Sequence, residues 1–170
     1  MNHRLADDIH DSFHGLECSK VGLAYGSLVY FDFGRKLIAP IAKGRIGEFG
    51  EASIWLLGDD WAIERKAHLI VGSESVDRAT MGLNVSGRLV GREVEGIFPG
   101  RTSITIDFGS NISVIVWRPG DAGIGVDEDL VRFFLPDGRI ACFSESRGLF
   151  LSDEVDRIRR AAGRASTTDE

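Results

Sequence analysis

Val29-Tyr30-Phe31-Asp32-Phe33-Gly34 and Ile104-Thr105-Ile106-Asp107-Phe108-Gly109 are two copies of one pattern, and reading them together decides the fold. In each, apolar side chains fall on alternate residues, the period of a strand with one face buried. Val29, Phe31 and Phe33 match Ile104, Ile106 and Phe108 and are expected to face a core. Tyr30 and Asp32 match Thr105 and Asp107 and are expected outward or at a rim. The glycine that ends each run supplies the backbone freedom of a tight hairpin.

Working outward, other landmarks recur in the same order. Asp32-Phe33-Gly34 returns 75 residues later, Gly58-Asp59-Asp60 returns as Pro136-Asp137-Gly138 after 78, and Ser73-Glu74-Ser75-Val76-Asp77-Arg78 returns as Ser152-Asp153-Glu154-Val155-Asp156-Arg157 after 79. A shift that grows slowly is what loop insertions produce. The expected units are 14–83 and 87–163 within a single domain, 1–170. Each opens with a strand (Leu16–Leu23, Leu89–Ile97), followed by the alternating strand and a return strand (Lys36–Ile41, Asn111–Trp117). A glycine-rich loop comes next (Lys43–Gly50, Arg118–Gly125). A hairpin follows, with arms Ser53–Leu57 and Trp61–Arg65 in one unit and Leu130–Leu135 and Arg139–Phe143 in the other. A short strand and a serine-capped helix close each unit. Val76, Ala79 and Leu83, and again Val155, Ile158 and Ala162, carry the spacing of a buried helical stripe. Leu5, Ile9 and Phe13 predict a further helix at the N-terminus. The fold class expected is α+β, mainly β: two tandem degenerate strand-rich repeats, each ending in a short helix, plus an N-terminal helix.

Bulk properties narrow the function classes. With 43% hydrophobic and 27% charged residues the chain is globular in type. No apolar run approaches membrane-spanning length, and Met1–His14 has no apolar signal core, so a cytoplasmic protein without a membrane partner is expected. Two cysteines are too few for a disulfide framework and read as buried thiols. The net charge of −6 disfavours nucleic acid and suits a basic protein partner.

Tyr25-Gly26-Ser27, Phe31-Asp32-Phe33-Gly34, Gly50-Glu51-Ala52-Ser53-Ile54-Trp55 and Trp61-Ala62-Ile63-Glu64-Arg65 together resemble a group of uncharacterised bacterial proteins. These share a glycine–strand–Phe-Gly hairpin followed by a Trp-bearing strand pair. The resemblance covers about residues 14–145 and implies a fold, with no activity to transfer. Proteins of this size and build occur among bacterial immunity proteins, which is analogy at the level of fold.

Motifs with chemistry resolve mostly into structure. Asp-Phe-Gly lacks every companion of the kinase magnesium motif. His10 and His14 lie one helical turn apart but lack a third metal ligand nearby in sequence. Cys142 sits mid-strand, where a core thiol is the plainer account than a nucleophile. Asp59-Asp60 and Asp127-Glu128-Asp129 suit turns or an acidic surface. No cofactor, metal or catalytic residue is implied. The candidate binding residues are Asp32, Trp55, Asp59, Asp60, Trp61 and Trp117. The first reading is a non-catalytic protein-binding module of immunity or accessory type. The alternative is an enzyme or small-ligand protein with a pocket between the two repeats. Exposed edge strands would also allow a homodimer.

Overall fold

A computed structural model of the chain describes residues 3–23, 28–41, 45–57, 60–66, 68–72, 81–117 and 129–152. Helix α1 (His3–Phe13) is followed by strands β1 (Cys18–Leu23), β2 (Val29–Ile41), β3 (Arg45–Leu56), β4 (Trp61–Arg65) and β5 (His68–Gly72). A π-helical turn (Met81–Ser86) runs into the short helix α2 (Gly87–Leu89). Then come β6 (Gly96–Pro99), β7 (Ser103–Asp107), β8 (Ile112–Trp117), β9 (Val131–Phe134), β10 (Ile140–Ser144) and β11 (Gly148–Leu151).

The strands form two antiparallel sheets, ordered β1-β2-β3-β9-β10-β11 and β5-β4-β8-β7-β6. Their inner faces share one core. Phe31 and Phe33 of the first sheet lie 6.0 and 5.9 Å from Phe108, which follows β7 in the second. Two helical segments seal the sides. Helix α1 packs against the edge strands β6 and β11, and the 81–86 turn packs against β1 and β5. The expected stripe of α1 is buried, with Phe13 edge-on to Phe33 and Phe133. An amphipathic helix is the cheapest cover for the open side of a twisted pair of sheets, because one apolar stripe meets both.

The mainly β character and the N-terminal helix match expectation, but several local assignments do not. Gly34 makes no hairpin. Its φ of +68° is used in a bulge between Phe33 and Lys36, and β2 continues to Ile41. Gly109, with φ +69°, does turn the chain, because Ser110 and Asn111 follow it into positive φ, at +50° and +61°. Asn tolerates that region well. The long side chains of Arg35 and Lys36 do not share that preference. Lys43–Gly50 is correspondingly not a loop throughout, since β3 begins at Arg45.

Ser53–Leu57 and Trp61–Arg65 do not pair with each other. β3 pairs with β9 and β4 with β8, so the chain crosses from one sheet to the other between them. The crossing buries Ala52, Ile54 and Leu56 and also Trp61 and Ile63 in the shared core, which both sets of inward residues require. Leu130–Leu135 and Arg139–Phe143 do form the expected hairpin. Its turn is closed by the Gly138 N–H donating to the Leu135 carbonyl at 2.9 Å, with Gly138 at φ +82°. Leu89–Ile97 is not a strand throughout: Leu89 ends α2 and β6 starts at Gly96. The serine-capped starts of both expected repeat-end helices, and the whole of the second, lie outside the described residues.

Candidate functional site

The outer face of the six-stranded sheet is aromatic where a solvated antiparallel sheet is ordinarily polar. Register places Gly22, Tyr30, Trp55 and Arg132 side by side across β1, β2, β3 and β9, with Lys20, Asp32, Ser53 and Phe134 in the adjacent row. Tyr30 and Trp55 ring centroids are 6.3 Å apart, and Trp55 and Phe134 are 5.0 Å apart. Gly22 permits this arrangement: a Cβ there would run into the Tyr30 ring. The ring therefore lies over the β1 backbone.

Beyond the bulge, β2 and β3 continue as a two-stranded arm. Lys20, Tyr30, Asp32 and Trp55 line a cavity of about 310 Å³ together with Gly47, Glu48 and Phe49 from the arm. On a straight strand, Gly47 would stand about 26 Å from Trp55, at ~3.3 Å per residue. For both to line one cavity, β3 must bend back over the sheet. The bulge between Phe33 and Lys36, beside Gly50, supplies that bend. Gly50 is required there, because a Cβ would come within 2.5 Å of the Phe33 backbone nitrogen and 2.6 Å of its oxygen.

Polar groups gather at one end of this cavity. Asp32 is 3% exposed, and its carboxylate accepts a 2.6 Å hydrogen bond from the Ser53 hydroxyl on β3. Lys20 stands directly opposite Asp32 on β1, with its ammonium 5.5 Å from the centroid of the Tyr30 ring. Hydrogen bonding to the Tyr30 hydroxyl, and then the charges of Asp32 and Glu48, hold Lys20 above its ordinary pKa against the opposing effect of burial. Glu48 also pairs with Lys36 along the arm at 3.0 Å.

Of the residues singled out in the sequence, the structure brings together Asp32 and Trp55. Asp32 is on the outer face as expected but is buried, not at a rim. Trp61 is 1% exposed in the core on β4, away from the outer face that carries Trp55. Trp117, half-buried at the end of β8, donates its backbone N–H to the Asp60 carbonyl at 3.0 Å, which places Asp60 beside the second sheet, just before β4. Asp59 lies outside the described residues. The cavity is built within residues 20–55, inside the first of the two expected units. Lys20, Glu48 and Phe49 were missed. Lys20 becomes significant only through its cross-strand partner, and Glu48 and Phe49 sat in a segment read as loop.

The thiols are not nucleophiles in waiting. Burial first, then the nearby carboxylates of Asp32 and Glu17, pushes Cys18 up to about 12. Burial and Asp129 do the same to Cys142, also about 12. Both therefore stay protonated at neutral pH. His10 and His14 stack at 5.0 Å, and the described residues contain no group of three side chains placed to hold a metal ion. No helix among the described residues is long and apolar enough to cross a membrane. Compared with protein-family models, with curated proteins and with solved structures, the chain shows no significant match.

Proposed function

We propose that this chain is a non-catalytic cytosolic binding protein of immunity or accessory type, and that it recognises another protein through the outward side of the β2–β3 arm. One observation carries the reading. Ile38 and Ile46, on the same side of the arm, are 75% and 74% exposed, on an element that pairs with no other strand among the described residues along this stretch. Two large apolar side chains displayed on the outward side of a strand pair folded over the sheet mark a contact surface. The net charge of −6 favours a basic partner at long range, but local charge governs the contact itself. Along the arm Arg35 faces Glu51 at 3.8 Å and Lys36 pairs with Glu48 at 3.0 Å, so these charges are matched. The partner patch that fits the arm is therefore apolar at its centre.

The test is differential capture with three baits: the wild-type chain, Ile38→Asp/Ile46→Asp, and Leu69→Asp on the edge strand β5. A stoichiometric partner held by the first and third and lost by the second supports the arm. A partner retained equally by all three would overturn it.

The cavity favours a second reading, a small-ligand-binding protein. Its walls are rings and its few polar groups converge at one end, the usual composition of a ligand site.

A further inference from the structure

We propose that the cavity under the arm binds a neutral planar nitrogen heterocycle of the purine type, stacked against Trp55 and Tyr30 with a donor–acceptor edge turned to Asp32 and Lys20. The proposal rests on reading the cavity as a ligand site and names the ligand.

Shape and walls come first. Tyr30, Trp55 and Phe49 bring three aromatic side chains to a space of about 310 Å³. That is near the low end of ligand sites, which run ~300–1,000 Å³, and suits one fused ring system better than an extended chain. Aromatic side chains stack favourably on any nucleobase because every base offers a π-face.

Charge then disfavours ions. Lys20 stands across the strand pair from Asp32, and Glu48 is paired with Lys36. Two carboxylates are balanced in number by two ammonium groups, so the cavity presents no excess charge to draw a phosphate or a free cation. A neutral ligand also leaves the Lys36–Glu48 ion pair in place.

The polar end supplies the edge pattern. Ser53 occupies one side of the Asp32 carboxylate, which leaves acceptor capacity beside the Lys20 donor. A ligand edge with an N–H next to a carbonyl or ring nitrogen meets both, and purines carry such edges. A hexose would instead place hydroxyls around its whole rim. Those facing Phe49 and Trp55 would lose water without gaining a partner.

The experiment titrates the full chain with guanosine, adenosine, methyl glucoside and a homopurine single-stranded oligoribonucleotide, followed by calorimetry and tryptophan fluorescence. A purine ligand is expected to saturate and to quench fluorescence. The quench should vanish in Trp55→Phe while calorimetric affinity falls only a few-fold, since phenylalanine still stacks. Lys20→Met, on an edge strand where the fold is not at stake, should weaken binding at least tenfold. Saturation by the free nucleosides assigns a small-molecule ligand, and saturation by the oligonucleotide alone assigns a base within a strand. Both uphold the base-binding chemistry. Binding of the glucoside without either purine source, binding unchanged in Lys20→Met and Trp55→Phe, or no binding of any purine would overturn it. Ile38→Asp/Ile46→Asp should leave nucleoside affinity unchanged, so loss of the protein partner and loss of the ligand are read separately.

Discussion

The Ser53 hydroxyl donates a 2.6 Å hydrogen bond to the Asp32 carboxylate across the β2–β3 pair, on the outer face of the sheet and almost out of contact with solvent. A buried carboxylate must be held by donors, and here the donor comes from the neighbouring strand. The bond fixes the orientation of the acid that lines the cavity.

Removing that donor should cost more than the hydrogen bond itself is worth. Ser53→Ala leaves the carboxylate short of a partner in a buried position, a loss of about 1–3 kcal/mol. Asp32→Ala/Ser53→Ala should be less destabilising than the sum of the two single changes. Urea denaturation of the four proteins closes the cycle, and strict additivity would show that the pair is not coupled.

Two of the three tryptophans first grouped as recognition residues, Trp55 and Trp61, should separate on stability. Trp61 is fully enclosed on β4, the second strand of its sheet, so Trp61→Ala should cost about 3–5 kcal/mol. Trp55 is half-buried on the outer face, so Trp55→Ala should cost clearly less, because solvent already reaches one side of the ring. Thermal melts of the two variants decide it; equal losses would contradict the placement.

Gly50→Ala should damage the arm specifically. The added methyl meets the Phe33 backbone, which has no flexible end to swing away. Straightening the bulge is the available relief, and it would carry Gly47 and Phe49 off the sheet. Faster amide exchange over 45–51, with the protection of β7 and β8 unchanged, is the expected signature.

Alkaline pH should weaken the fold through the thiols. Cys18 and Cys142 both move from 9.0 up to about 12 on folding, so the folded state keeps protons that the unfolded chain releases. Their contribution is complete below pH 9 and is lost as pH rises from 9 toward 12, because in that window the unfolded state binds fewer protons. Cys18→Ala/Cys142→Ala should therefore show a shallower fall of denaturation midpoint over that range. Native thiols should also react slowly with an alkylating reagent at pH 8 compared with the unfolded chain.

Much of the architecture was legible before any coordinates. Alternation in Val29–Phe33 and Ile104–Phe108 identified inward residues that are all buried, and the Leu5, Ile9, Phe13 spacing identified the helix stripe. These patterns are local: side-chain period and face are set by backbone geometry over a few residues. Pro136-Asp137-Gly138 and the hairpin at Gly109 were readable too, since a turn depends on the φ tolerance of its own residues, whereas the same reading of Gly34 met a bulge instead.

What the tertiary structure alone decided is which strands find each other. Nothing local distinguishes the pairing of β3 with β4 from that of β3 with β9 and β4 with β8, because both satisfy the same alternation. The choice falls to the shared core, which buries Leu56 and Trp61 together only if the chain crosses between sheets. The same long-range pairing sets Lys20 opposite Asp32, Asp32 opposite Ser53, and folds Phe49 over Trp55. Sequence alone therefore determined the inward faces of β2 and β7, the buried stripe of α1 and the turns after β7 and β9, but not the extent of every strand. The candidate site came from cross-strand register and one bulge, which depend on residues far apart in the chain meeting around a common apolar interior.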